Sequence, residues 1–345
     1  MEERYTYKAM DDDKYIVIDV QDHCSIIQEN DDVIRKIQEF DELNPERMRS
    51  LQKQISKHKT YEVQLGIYKE KRKMDKDKYV EKVLNQSIPP LIPYKLVDEY
   101  GDFINDEMRN VVRANCLRRY LEGAIDLLIK DKVLAAGLPE EKWNNYNLNN
   151  RIQAIGKYYS KRIEEEFCRL RIIGNGGSHY NPEEMISTED INEGIEIATK
   201  IVEEVVIEYF YNHPVGTEPP VLTMLSSLPP CKRIYILERV SHKDQGNIML
   251  IDKLAMAYLK NGEKENAMQY LKSEKDNGNL DEVMYEQLVD KIELLDRSMD
   301  KFDIAKNILD VARIFECLFS LPDYNKYPEF INIFLVLVTG YNREK

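Results

Sequence analysis

Apolar residues that recur at steps of three and four limit this chain to packed helices. Val112, Cys116, Leu117, Tyr120, Leu121, Ala124, Ile125 and Leu128 fall on one helical face, as do Ile191, Ile195, Ala198, Val202, Val205 and Tyr209. Stripes of this kind are buried against one another, so an antiparallel helical bundle is expected over residues 95–212. With 43% hydrophobic and 32% charged residues and only 14 Gly and 13 Pro among 345, the chain is helix-rich and globular rather than disordered.

Proline marks two boundaries. Ser87-Ile88-Pro89-Pro90-Leu91-Ile92-Pro93 and Asn212-His213-Pro214-Val215-Gly216-Thr217-Glu218-Pro219-Pro220 lose backbone donors and resist helical angles. They predict an N-terminal α+β region (1–88), the central bundle (95–212) and a C-terminal helical domain (220–345). In the first, Lys14–Val20 is β-branched and aromatic enough for a strand, and Tyr5-Thr6-Tyr7 can pair with it across Asp11–Asp13, giving a small β element. In the last, Leu254, Ala255, Tyr258, Gly262, Ala267, Tyr270 and Leu271 fit one tetratricopeptide-type hairpin, with further helices stacked behind it. Such a domain is most simply a surface for a protein partner. Phe330–Val338 is apolar all round, so that helix belongs in the C-terminal core or under a partner. The expected fold class is mainly α.

Charge and cysteine usage exclude several functions. At a net charge of −13, the chain is a poor nonspecific coat for nucleic acid, so any RNA contact requires a local basic patch. Lys69–Lys78 is the densest basic run; interspersed acids favour a solvated face over an RNA-guiding rim. Five separated cysteines without a CxxC pair read as reduced thiols of a cytoplasmic protein. The acidic cluster Asp11, Asp12, Asp13, Asp19, Asp22 and His23 has no metal-loop spacing, and neither a metal nor a cofactor is expected. The longest apolar run is too short to span a bilayer, and no GxxxxGK, nucleophile-elbow or HExxH motif occurs.

One stretch carries candidate chemistry. Arg169-Leu170-Arg171-Ile172-Ile173-Gly174-Asn175-Gly176-Gly177-Ser178-His179-Tyr180 is expected to leave regular structure between two helices. On one reading, a helix ends in a Gly/Asn turn, Arg171 bonds nearby carbonyls and acids, and His179 is structural. On the other, His179 takes the proton of a ribose 2′-hydroxyl while Arg171 stabilises the crowded phosphate, without metal. Residue types leave both open. Packing of this segment on the first long helix would bring Arg118, Arg119 and Glu122 towards Arg171 and His179.

The blocks Arg113-Ala114-Asn115-Cys116-Leu117-Arg118-Arg119-Tyr120-Leu121-Glu122-Gly123 and Leu170-Arg171-Ile172-Ile173-Gly174-Asn175-Gly176-Gly177-Ser178-His179, the second followed by a long helix, resemble the HEPN superfamily. The resemblance covers about the central third of the chain. It is to a branch of unknown function with an Arg-x-x-Gly-Asn-x-x-x-His core, often found in restriction and defence proteins. It implies an all-helical bundle that commonly dimerises. Active members are metal-independent ribonucleases with an Arg and a His at the dimer cleft. Carried over, Arg171 and His179 are the candidate catalytic pair, Asn175 and Glu122 their supports, and Arg113, Arg118, Arg119 and Arg169 the binding cations. Here Ile172 stands where active members place a polar residue, and seven residues separate Arg171 from His179. The expected function is therefore a prokaryotic defence or stress protein acting as a binding, sensor or scaffold module for protein or nucleic acid. The alternative is a metal-independent endoribonuclease with RNA as substrate.

Overall fold

The computed structural model describes residues 76–86, 90–177, 186–319 and 326–341, and within the first 75 residues three short strands. The chain divides into two units, 1–75 and 76–345. In the first, β1 (Lys8–Ala9), β2 (Lys14–Ile18) and β3 (Cys24–Gln28) run antiparallel in that order, with Lys8 opposite Ile16 and Tyr15 opposite Ile27. The expected partner strand Tyr5-Thr6-Tyr7 and the acidic cluster lie outside the described residues, as does the basic run up to Asp75.

Every regular element described in the second unit is a helix. Residues 76–84 are helical and lead to α1 (Val97–Phe103) and α2 (Asn110–Leu128). Three shorter helices follow: α3 (Lys130–Ala135), α4 (Glu140–Asn145) and α5 (Leu148–Tyr158). The side chain of Asn147 caps α5 and that of Ser160 caps α6 (Lys161–Gly176), each accepting a backbone N–H that the first turn leaves unpaired. α6 packs on both α2 and α5.

Where the apolar stripe predicts one helix from Glu189 to Tyr211, the chain forms two, α7 (Thr188–Ala198) and α8 (Ile201–Asn212). Ser187 starts α7 through a capping box with Asp190. The break has a local cause. The Thr199 hydroxyl donates to the Ile195 carbonyl at 2.8 Å and to the Glu196 carbonyl at 3.3 Å, which bends the helix.

Beyond the second proline boundary come α9 (Pro219–Leu225), α10 (Pro230–Ser241), α11 (Ile248–Lys260), α12 (Lys264–Asp276) and α13 (Glu282–Asp296). From α10 onwards each packs on the next. Gly262, at φ +82°, makes the tight turn between α11 and α12 that a side chain would strain. Ile251, Ala255, Leu259, Ala267, Leu271 and Ile292 form a small core among these helices.

The last two helices, α14 (Ile308–Phe319) and α15 (Pro328–Val338), return to the central bundle. α15 packs on α8 and α2, and Phe330 meets the Tyr209 and Phe210 rings. Tyr341 donates to the Ile92 carbonyl at 2.8 Å, tying the end of α15 to the start of the unit. One hydrophobic core therefore runs from Val83 to Tyr341. The all-round apolar character of Phe330–Val338 is accounted for within the chain.

Candidate functional site

The seam between α2 and α6 sets the candidate site. The two helices run antiparallel, with Gly174 against Arg118 and Gly177 against Val111, Ala114 and Asn115. A Cβ on Gly174 would lie 2.7 Å from the Arg118 Cβ and 3.1 Å from its Cα; one on Gly177 would lie 2.5 Å from the Val111 carbonyl oxygen. These glycines let two helix backbones touch.

That corrects the expected irregular loop. α6 continues to Gly176, so Arg171, Gly174 and Asn175 sit on its last turns, and Gly177 follows at an ordinary φ of −80°. Positive backbone angles are used elsewhere, among them at Gly137 and Gly262. Burial of Leu170, Ile173 and Gly174 against α2 and α7 outweighs the weak helical preference of glycine.

The polar groups of the seam bond across it. Arg118 donates through Nη1 to Asn175 Oδ1 at 2.9 Å and through Nε to Glu122 Oε1 at 3.1 Å. Glu122 thus orients Arg118, not Arg171 as expected. Asn115, one turn before Arg118, donates to the Gly177 carbonyl at 2.7 Å and so satisfies an acceptor at the end of α6. Asn110 donates to the Ile186 carbonyl at 3.2 Å, just before α7 begins. Arg171, one turn before Asn175, is partly exposed, and its Nε is buried with no hydrogen-bond partner among the described residues. His179 lies outside the described residues.

The remaining candidate cations do not converge on this seam. Arg113 is buried and donates Nε to the Phe103 carbonyl at 2.8 Å, which makes it part of the α1–α2 packing. Arg119 points to the other side of α2 and pairs with Glu99 at 2.8 Å. Arg169 is held by Glu193 at 2.6 Å, with Asp190 at 3.6 Å, and joins α6 to α7. A helix turns 100° per residue, and Arg118 and the adjacent Arg119 leave α2 in different directions towards separate partners.

A second charged cluster was not anticipated. Arg162 on α6 pairs with Glu204 and with Glu208 at 3.3 Å on α8, and Tyr235 on α10 donates to Glu204. Glu166, one turn after Arg162, is pushed up to about 7 by burial and by the Glu204 charge. Glu203 is buried beside Lys232 at 2.7 Å, and burial raises its carboxyl above the usual range. The signal was present in sequence: Glu203, Glu204 and Glu208 interrupt an otherwise apolar run, and buried carboxylates require partners.

Among the described residues no group of His, Cys, Asp and Glu is arranged to hold a metal ion, and no helix is long and apolar enough to cross a membrane. In comparisons with known proteins, no family model, no curated protein and no solved structure matches this chain.

Proposed function

We propose that the chain is a HEPN-like defence or stress protein that works as a binding module, a sensor or scaffold for protein or nucleic acid. The observation that supports this reading is the bonding of Arg118. Its guanidinium is shared between Glu122 on its own helix and Asn175 on α6, which commits the polar residues of both motif blocks to holding the seam together. A cation that stabilises a reacting phosphate has to face it with donors to spare. Arg113, Arg119 and Arg169 are likewise engaged within the chain. Association through the bundle into a homodimer, with the C-terminal helices carrying a protein partner, belongs to the same proposal.

One observation favours the second reading, a metal-independent endoribonuclease. Arg171 Nε has no hydrogen-bond partner among the described residues, and Arg171 lies one turn from Asn175. On this reading His179 removes the 2′-hydroxyl proton. The 2′-oxygen attacks the adjacent phosphorus to close a cyclic phosphate, the P–O5′ bond breaks, the leaving 5′-oxygen takes a proton from solvent, and Arg171 balances the charge at a dimer cleft.

RNA integrity separates the two. Wild type, Arg171→Ala and His179→Ala, each checked for fold by circular dichroism, are incubated with RNA in EDTA. The binding reading expects intact RNA in all three. Fragmentation by wild type that both folded variants lose would replace it with the nuclease reading.

A further inference from the structure

A pocket of about 170 Å³ opens between α9, α10, α11 and α13, far in sequence from the α2–α6 seam. Leu222, Leu225, Leu237 and Met256 line it together with Ser226 and four cations, Arg233, Lys253, Lys260 and Lys291. Among the described residues no carboxylate lines it. In a chain of net charge −13, four cations around one small cavity are not a consequence of composition.

Arg233 is the decisive residue. It is 5% exposed, and its Nε is buried without a hydrogen-bond partner among the described residues. No ion pair is formed by Arg233, Lys253 or Lys260 among the described residues; Lys260 rests over the Phe302 ring at 4.7 Å, and only Lys291 has an acid, Asp252 at 2.6 Å. Isolated buried cations are strongly disfavoured, and proteins pair them or place them where a ligand supplies the counter-charge. Even the half-buried Arg162 of the same unit is met by Glu166, Glu204 and Glu208, and the buried Arg113 donates its Nε to the Phe103 carbonyl, so Arg233 Nε stands apart from both.

We propose that this pocket binds the phosphoryl group of a small molecule, with Arg233, Lys253 and Lys260 meeting its oxygens and Leu222, Leu225 and Leu237 packing on the rest of the molecule. A guanidinium fork and two ammonium groups match the several acceptor oxygens of a phosphate, and the small volume admits such a group but not a folded macromolecular surface. The electrostatics agree. Burial lowers Lys260 to about 8, and Arg233 from α10, Lys291 from α13 and Lys253 on its own helix all push it the same way. An anion in the pocket would reverse that push. The proposal does not depend on the HEPN reading.

The test is titration of the full chain with inorganic phosphate, pyrophosphate and adenosine 5′-monophosphate, at constant ionic strength, followed by calorimetry and melting temperature. Saturable binding by at least one of the three is expected, weakened roughly tenfold or more in Lys253→Gln and Lys260→Gln and unchanged in Arg119→Gln. Tighter binding of the monophosphate ester than of inorganic phosphate identifies an organic phosphate as the ligand; equal binding identifies free phosphate. Arg233→Met is expected to abolish saturation. No saturable binding by any of the three, or binding that the lysine variants leave unchanged, overturns the proposal.

Discussion

Arg118 and Arg233 are both helical arginines set among apolar residues of one unit, yet their surroundings are opposite. Arg118 is met by Glu122 and Asn175 across a seam so close that Gly174 has no room for a side chain. Arg233 is more deeply buried, forms no ion pair among the described residues, and lines a cavity shared with three lysines. A buried arginine with partners is part of the fold, whereas one without them leaves a charge for something else to satisfy. Arg118 and Asn175, one from each motif block, fall on the structural side of that division. The opening for a ligand lies where the sequence carried no motif.

The most damaging change to the first region is Gly174→Val. The new Cβ would press on the Arg118 backbone, which cannot rotate away, and a loss of about 3 kcal/mol is expected, read by chemical denaturation. Asn175→Ala removes the Arg118 bond across the seam while leaving Glu122 in place. It should cost about 1 kcal/mol, a fall of about 2–4 °C in melting temperature. Arg119→Ala breaks only an exposed pair with Glu99, and a change below about 0.5 kcal/mol would separate surface charge from seam charge.

The Arg162 cluster sharpens the comparison through pH. In the folded chain Glu166 is raised from 4.5 to about 7, so the folded state holds the proton more tightly than the unfolded one. Its contribution to stability is therefore fully present below about pH 4.5 and is lost as pH rises through 7. Burial and the Glu204 charge on α8 raise it, against the opposing pull of Arg162 on the same helix, Arg239 on α10 and Lys200. In Glu166→Gln that decline between pH 4.5 and 7 should flatten, as followed by melting temperature. An unchanged slope would remove Glu166 from the account.

The helical class was legible because three-and-four spacing survives any tertiary context, and α2 begins and ends within two residues of its apolar stripe. The pairing of Arg118 with Glu122 was readable too, since one helical turn separates them. The end of α6 was not. Three glycines in four residues read as a loop by intrinsic preference, and only the approach of α2 turns them into a helix contact. The break at Thr199 was hidden for a similar reason, because the stripe continues across it while a hydroxyl bends the backbone. The pocket was least visible of all. Arg233, Lys253, Lys260 and Lys291 come from three helices spread over 59 positions, and no spacing rule relates them before α10, α11 and α13 pack.

The most direct test of the division is one pair of melting curves, Arg118→Met and Arg233→Met against wild type in phosphate-free buffer. Arg118→Met should melt lower, by about 1 kcal/mol of lost bonding, and Arg233→Met should melt higher, by about 1–3 kcal/mol, because methionine fills the site without an uncompensated charge. If both variants melt lower by similar amounts, Arg233 is a structural arginine like Arg118 and the contrast on which the account rests is lost.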